Sequence, residues 1–255
     1  MGYKDLFPAI LASSTAVFVC KAVGWPSFYL FDAVDSFMDI SLIGWLVFLS
    51  IMVGFAGGGY TVLYTRIAKL FRRTEGNITF KVVLGSFAAA LIAWSINPEL
   101  LGTSKNMVKA IFDNDLDLLC GRLPFHIIHV APLLFLVAIV KSFCNCITVG
   151  SGMSAGFTGP AAITGMLLGM AMAELLGLDS GTASYHAFIA VGFSAMMASS
   201  MNIPLAAAVM TIELFGLQYS FPAGFSAIIG FQVTRHRTIY DYAVKSVEMD
   251  SADDE

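Results

Sequence analysis

Charged residues are scarce in this chain, where Asp, Glu, Lys and Arg make up 13% of 255 residues. A soluble globular domain carries about 25% charged residues, so the composition excludes that class. Hydrophobic residues account for 57% of the chain, and the mean hydropathy is +0.78. This deficit of charge, spread over the whole length, predicts a multi-pass integral membrane protein in contact with the lipid bilayer, in the cell or plasma membrane.

Residues for several other chemistries are also few. With a net charge of −4, the chain has no basic region suited to a nucleic-acid partner. The four cysteines are not spaced like a metal site or a disulfide framework, and we interpret them as small apolar side chains. His126 and His129 lack a third ligand, and the serines of the glycine-rich segment lack a partnered base. We therefore expect neither an enzyme nor a protein with a cofactor or a metal.

No secretory signal pattern is visible at the N-terminus, so the first apolar segment is expected to direct insertion. Basic residues concentrate at 66–81 and 234–240, and the positive-inside rule places both segments in the cytoplasm. The last eight residues, EMDSADDE, are strongly acidic. We predict a transmembrane domain over residues 1–245 and an acidic disordered tail over 246–255.

The apolar segments differ in length. A helix needs about 20 apolar residues to cross the hydrocarbon, and several segments fall short of that, which predicts eight to ten helices with partial crossings. Short segments interrupted by Gly and Pro are typical of transporters and channels with broken helices. The predicted segments are 8–22, 41–65, 82–96, 124–147, 160–176, 184–199, 204–214 and 221–233, with a short amphipathic piece at 107–112.

The strongest interruption is GSGMSAGFTGPAAITGMLLG, residues 150–169, which contains six glycines and one proline without any charge. Inside a bilayer, unwound backbone is tolerated only where it is buried in protein or lines a cavity. Pro160 suits the first turn of a helix, and the free amides at such a terminus can bind an anion. A re-entrant kink that only helps helices to pack explains the segment equally well.

Four stretches together resemble the second half of the membrane domain of the CLC chloride channels and chloride/proton exchangers. They are KSFCNCITVGSG at 141–152, GSGMSAGFTGP leading into AAITGMLLGMA, VGFSAMMASSMNIPLAAAVMTIELFG at 191–216, and TIYDYAV at 238–244. The resemblance implies an all-α membrane protein, one half of a CLC-type inverted repeat with broken and partial-crossing helices. It implies passive or proton-coupled transport of chloride or a similar small anion.

The family motif G-x-F-x-P corresponds to Gly156, Phe157, Thr158, Gly159 and Pro160. The resemblance implies that the backbone amides of Phe157 and Thr158 point at a chloride ion. Thr158 stands where the motif has its phenylalanine, so this chain departs from the motif at that position. An amide can donate whatever side chain it carries, so anion binding is expected to survive, while the choice of anion stays open.

A tyrosine is also implied at the ion site. Tyr240 is preferred over Tyr242 because it occupies the I-Y position of the family pattern, although an interfacial anchor beside a basic loop is the alternative. Ser154 and Lys141 are candidates for lining the pore or raising its positive potential, and Lys141 could instead snorkel to an interface.

The first-half segments of the family, GSGIP and GREGP, with their serine ligand and gating glutamate, are not found in this sequence. We therefore expect a fragment or half of a split transporter, with a separate N-terminal half as a partner. Family members are dimers, which implies a homodimer with helices near 8–22, 204–214 and 221–233 at its interface. The alternative function is a non-conducting scaffold or regulatory half-subunit that pairs with a complete anion transporter, and channel or exchanger remains open.

Overall fold

A computed structural model describes residues 3–24, 40–73, 77–102, 104–124 and 128–241. Over these residues the chain is all-α, as predicted, with ten α-helices, three single-turn 3-10 helices and no β-strand. The α-helices are α1 (Tyr3–Ala22), α2 (Ile43–Arg73), α3 (Ile78–Ile96), α4 (Lys105–Asp113), α5 (Leu116–Cys120), α6 (Val130–Gly150), α7 (Thr158–Leu175), α8 (Ala183–Met201), α9 (Pro204–Phe215) and α10 (Ser220–Thr234).

Three helices, α2, α3 and α6, are long and apolar enough to cross a membrane. The longest, α2, has 31 residues and is roughly 46 Å long at 1.5 Å per residue, more than the hydrocarbon thickness of about 30 Å. The sequence predicted that this span ends at residue 65, before a basic loop. The helix continues to Arg73 because Arg and Lys are good helix formers and an end that projects into water leaves their charges solvated.

The centre of the bundle is α8, which is buried along its whole length except at Ser184 and packs against α2, α7, α9 and α10. Glycines set the distance between α7 and α8. A Cβ atom at Gly165 would lie 2.4 Å from the carbonyl oxygen of Gly192, and a Cβ at Gly192 would lie 2.2 Å from that of Gly165. The two backbones therefore touch directly, as small residues allow in membrane helix pairs.

The segment between α3 and α6 folds back over the end of the bundle. Asn97 fixes its start, because its side-chain amide donates to the carbonyl oxygens of Leu118 and Leu119 at 2.7 and 3.1 Å. The amphipathic piece predicted at 107–112 is present as α4. The start of α6 differs from the prediction of 124, since His129 caps the helix by accepting a hydrogen bond from the Ala131 amide at 3.4 Å. His126 lies outside the described residues.

Candidate anion-binding site

The predicted interruption lies between α6 and α7. The first of these helices ends at Gly150, and residues 151–157 are not helical. Gly152 has a φ of +102°, in the left-handed region that favours glycine. The second helix begins at Thr158 after Phe157, with no side-chain cap at its N-terminus. Pro160 lies in its first turn, so the proline interrupts nothing inside the helix.

The uncapped start of α7 leaves backbone donors free. The first intrahelical partner there is the Ala161 amide, which donates to the Phe157 carbonyl at 3.0 Å, while Pro160 has no N–H. In residues 3–24, 40–73, 77–102, 104–124 and 128–241, no carbonyl beyond the helix accepts from the amides of Phe157, Thr158 or Gly159. These amides carry the positive partial charge of the helix dipole, so the terminus can hold an anion.

Aromatic side chains surround the ring of Phe157, which is 8% exposed. Edge-on contacts join it to Tyr64 at 4.6 Å, to Tyr240 at 6.3 Å and to Tyr60 at 6.4 Å between ring centroids. Tyr60 and Tyr64 were not among the predicted site residues, and their signal in the sequence is a spacing of four residues on one face of α2. This aromatic cluster keeps water from one side of the α7 N-terminus.

Two hydroxyl groups of the predicted site converge on one sulfur atom. The Thr158 hydroxyl lies 3.8 Å from the sulfur of Met201, and the Tyr240 hydroxyl lies 3.9 Å from it. Tyr240 is held in place because the adjacent Ile239 amide donates to the Ser200 carbonyl at 3.0 Å. The two hydroxyls are therefore neighbours at the end of α8. Tyr242, the alternative tyrosine, lies outside the described residues.

A cavity of about 350 Å³ opens on the other side of the α7 N-terminus. Ser154, Gly156, Gly159 and Pro160 line it, together with Lys141 of α6. Five of the predicted site residues thus share one cavity. Thr158 and Tyr240 face Met201 instead, and the ring of Phe157 lies against the aromatic cluster. The N-terminus of α7 is accordingly the point where all of the predicted residues meet.

Lys141 is buried and 1% exposed. Its ammonium donates to the carbonyl oxygens of Leu100 and Gly102 at 2.7 and 3.1 Å and also to the Ser104 hydroxyl. These three bonds use all the hydrogens of the ammonium. The ammonium lies among protein oxygens inside the described fold rather than at its surface, which argues against snorkelling. Lys141 has no hydrogen left for an anion, and its charge lies beside the cavity.

Polar side chains of α6 connect this cavity to α2 and α7. The amide of Asn145, which lines the cavity, donates to the Tyr60 hydroxyl at 2.5 Å. One turn earlier, the Ser142 and Thr164 hydroxyls pair at 3.0 Å. Hydrogen bonds between helices hold membrane bundles together, and here they fix α7 at the height where its N-terminus meets the cavity.

The profile of the family described as voltage gated chloride channel matches residues 1–235. The chain belongs to this family, which is the CLC family predicted from the sequence motifs. It is an integral membrane protein, in keeping with its three spanning helices.

Curated proteins and solved structures are similar to the chain, including the following three. An uncharacterized protein of Methanocaldococcus jannaschii is 27% identical over 248 residues, 94% of this chain and 56% of the relative. A chloride/fluoride channel protein of Pseudomonas syringae pv. tomato is 34% identical over 100 residues, 39% of this chain and 21% of that protein. The crystal structure of a CLC-type fluoride/proton antiporter has a TM-score of 0.75 at 20% identity and confirms the CLC-type fold.

That similarity in fold extends over 93% of this chain and 55% of the antiporter chain. The chain therefore spans about half the length of the M. jannaschii relative and of the antiporter.

Proposed function

We propose that this chain forms part of a pathway for chloride or a similar small anion across the cell or plasma membrane, passive or proton-coupled. The observation that carries the proposal is the N-terminus of α7, which has no side-chain cap and lies between an aromatic cluster and a cavity. Partial dipoles and neutral hydroxyls bind an anion without the strong attraction of a direct ionic contact, and conduction requires that the ion can leave.

The predicted anion ligands and the two glycines of the motif each have a role in this proposal. The amides of Phe157 and Thr158 bind the anion, and the Tyr240 hydroxyl donates to it. Gly156 and Gly159 leave the approach open, since a Cβ atom at either glycine would have no neighbour within 4 Å. The Thr158 hydroxyl adds a further donor, which favours a small, strongly hydrated anion. Fluoride, named in two of the similar proteins, is therefore a candidate beside chloride.

We also propose two kinds of protein partner, the remaining part of the CLC-type fold and a second copy of this chain. This chain spans about half the length of the M. jannaschii relative and of the antiporter. We propose that the complete pathway needs the remaining part of the fold, on the same polypeptide or as a separate N-terminal half. We also propose a homodimer, supported by large apolar side chains on the surfaces of α9 and α10, where Leu205, Phe221 and Ile228 are 79%, 64% and 59% exposed. Crosslinking in mild detergent tests the dimer, and monomers alone would contradict it.

Anion binding to the purified chain tests the site. We expect Tyr240→Phe and Thr158→Val each to weaken chloride or fluoride binding by about ten- to a hundredfold, the value of one hydrogen bond to a charged group. The matched control is Tyr219→Phe, which removes a buried hydroxyl from the turn between α9 and α10 and should leave the Kd unchanged. Titration calorimetry measures all three variants, and unchanged binding in both site variants would refute the proposal.

A measurement of anion transport distinguishes the proposed pathway from the alternative of a non-conducting scaffold. Reconstitution with the remainder of the fold should give anion flux that falls in Tyr240→Ala and when the α7 N-terminus is disrupted at Pro160. Flux that neither change alters would favour a non-conducting scaffold or regulatory half-subunit.

A further inference from the structure

A second cavity, of about 730 Å³, lies between α2 and the end of α10. Its inner surface is apolar and its mouth is basic, and no acidic residue lines it in the described part of the chain. We call it the α2–α10 groove. Its apolar residues are Phe55, Gly58, Gly59, Val62, Leu63 and Val233, and Arg66, His236 and Arg237 form its mouth together with Thr234.

Two adjacent glycines of α2 shape the groove. At Gly58 a Cβ atom would lie 2.7 Å from the Thr234 side chain, so α10 packs closely there. At Gly59 a Cβ atom would have no neighbour within 4 Å, so the surface beside it is open. The glycine pair thus lets α10 approach on one side and leaves a slot for an apolar chain on the other.

We expect the basic mouth to lie at the level of the lipid headgroups. The stretch of α2 from Trp45 to Arg66 is roughly 32 Å long at 1.5 Å per residue, close to the hydrocarbon thickness of about 30 Å. Trp45 is an aromatic residue of the kind that marks a membrane interface, so Arg66 reaches the opposite one. The concentration of Arg and Lys around Arg66 places that interface in the cytoplasm, where anionic lipids are enriched.

We propose that the α2–α10 groove binds an anionic phospholipid of the cytoplasmic leaflet. The lipid phosphate lies between Arg66 and Arg237, which are both exposed, and one acyl chain lies over Gly59. His236 accepts a hydrogen bond from Arg235 at 3.0 Å and is thereby oriented at the mouth. The groove joins basic residues to an apolar slot, just as a lipid joins a phosphate to a hydrocarbon chain.

The acidic C-terminal segment EMDSADDE, which begins eleven residues after Arg237 in the sequence, is another source of negative charge. Its uncharged residues are one methionine, one alanine and one serine, which cannot fill an apolar slot of this size. The groove therefore favours the lipid, and the acidic segment becomes an outcome of the test.

The experiment uses the purified full chain in a neutral detergent, and native mass spectrometry counts bound dioleoylphosphatidylglycerol and dioleoylphosphatidylcholine. We expect the phosphatidylglycerol to be retained preferentially. The double variant Arg66→Gln, Arg237→Gln should lower its retention about thirtyfold, a factor of about five for each basic residue. Arg73→Gln is the matched control, since this exposed residue at the end of α2 lies outside the groove, and it should retain the lipid.

A second pair of variants tests the slot without changing charge. Gly59→Leu fills it and should release the lipid, whereas Gly59→Ala adds one methyl group in open space and should not. Helicity and unfolding temperature check that the variants fold. Inorganic phosphate at millimolar concentration should not displace the lipid.

Several results would overturn the proposal. The first two are equal retention of the two lipids, and a loss of phosphatidylglycerol in Arg73→Gln as large as in the double variant. The others are displacement of the phosphatidylglycerol by phosphate alone, and a gain in phosphatidylglycerol binding on deletion of residues 242–255. The last would identify the acidic segment as the occupant. A change of oligomeric state in Gly59→Leu would show that a second copy covers the groove, and would also reject the lipid.

Discussion

Replacing Lys141 by methionine removes a buried charge beside the candidate anion site while keeping an unbranched side chain of similar length. The ammonium lines the same 350 Å³ cavity as Gly156, Gly159 and Pro160. It donates only to protein oxygens, so the substitution removes no direct ligand. Any effect on anion affinity must then come from the field of the charge or from the position of the loop that the charge holds.

The field can be estimated from the size of the cavity. A cavity of that volume is roughly 9 Å across, and two unit charges at that separation interact by about 2 kcal/mol at an effective dielectric constant of about 20. This corresponds to a Kd about thirtyfold weaker in Lys141→Met. The buried position leaves little screening by salt, so the ratio should change little between low and high ionic strength.

Ser104→Ala separates the two causes. This variant removes one acceptor of the ammonium but keeps its charge and the bonds to Leu100 and Gly102. Fluoride and chloride titrations of the two variants should show a change of no more than about fivefold in Ser104→Ala, since the net value of one hydrogen bond is about 1 kcal/mol and the ammonium keeps its bonds to Leu100 and Gly102. Equal weakening in both variants, or no weakening in Lys141→Met, would refute the electrostatic reasoning.

Two further predictions concern stability and reactivity. Gly165→Ala should lower the stability of the bundle by about 1–3 kcal/mol, because the new methyl group would lie 2.4 Å from the Gly192 carbonyl oxygen, and thermal unfolding in detergent measures it. Burial, with a smaller contribution from the Asp117 carboxylate, raises the pKa of the Cys120 thiol to about 11. Alkylation of Cys120 should therefore be slow at pH 8 and rise about tenfold per pH unit up to that value.

The stability prediction and the alkylation prediction each have a control within the same chain. Gly44→Ala places a methyl group where no atom lies within 4 Å and should leave the unfolding temperature unchanged or higher, so an equal loss in both glycine variants would contradict the packing argument. Cys20 is exposed and should be alkylated first at pH 8. A rate at Cys120 that levels off below pH 9 would show that its thiol is not protected as the structure indicates.

The break before α7 was predictable because its causes are local. Glycine and proline disfavour helix wherever they lie, so their density at 150–160 marked the break in the sequence itself. The family and the all-α fold followed from motifs of the same kind and are confirmed. The anion-binding roles of Phe157, Thr158 and Tyr240 stay predictions, now with positions that a titration can test.

The neighbours of the site were not predictable, because they depend on which helices pack together. Tyr60 and Tyr64 reach Phe157 only after α2 has packed against α7. The role of Lys141 likewise depends on a loop 40 residues earlier that returns to it. A single sequence shows that a buried lysine needs acceptors but does not show where they come from.

Because α8 is surrounded by other helices, its burial bears on the order in which the helices assemble in the membrane. In the described bundle α8 is covered by other helices rather than exposed at the surface. Its sequence therefore does not need to be strongly hydrophobic. It contains three buried serines, Ser194, Ser199 and Ser200. A segment of that kind gains little from entering the bilayer alone. We expect it to reach its place after the spans α2 and α6 have inserted and offer it a protein surface, as in two-stage assembly. Newly made chains should therefore complete the bundle from its outer helices inward.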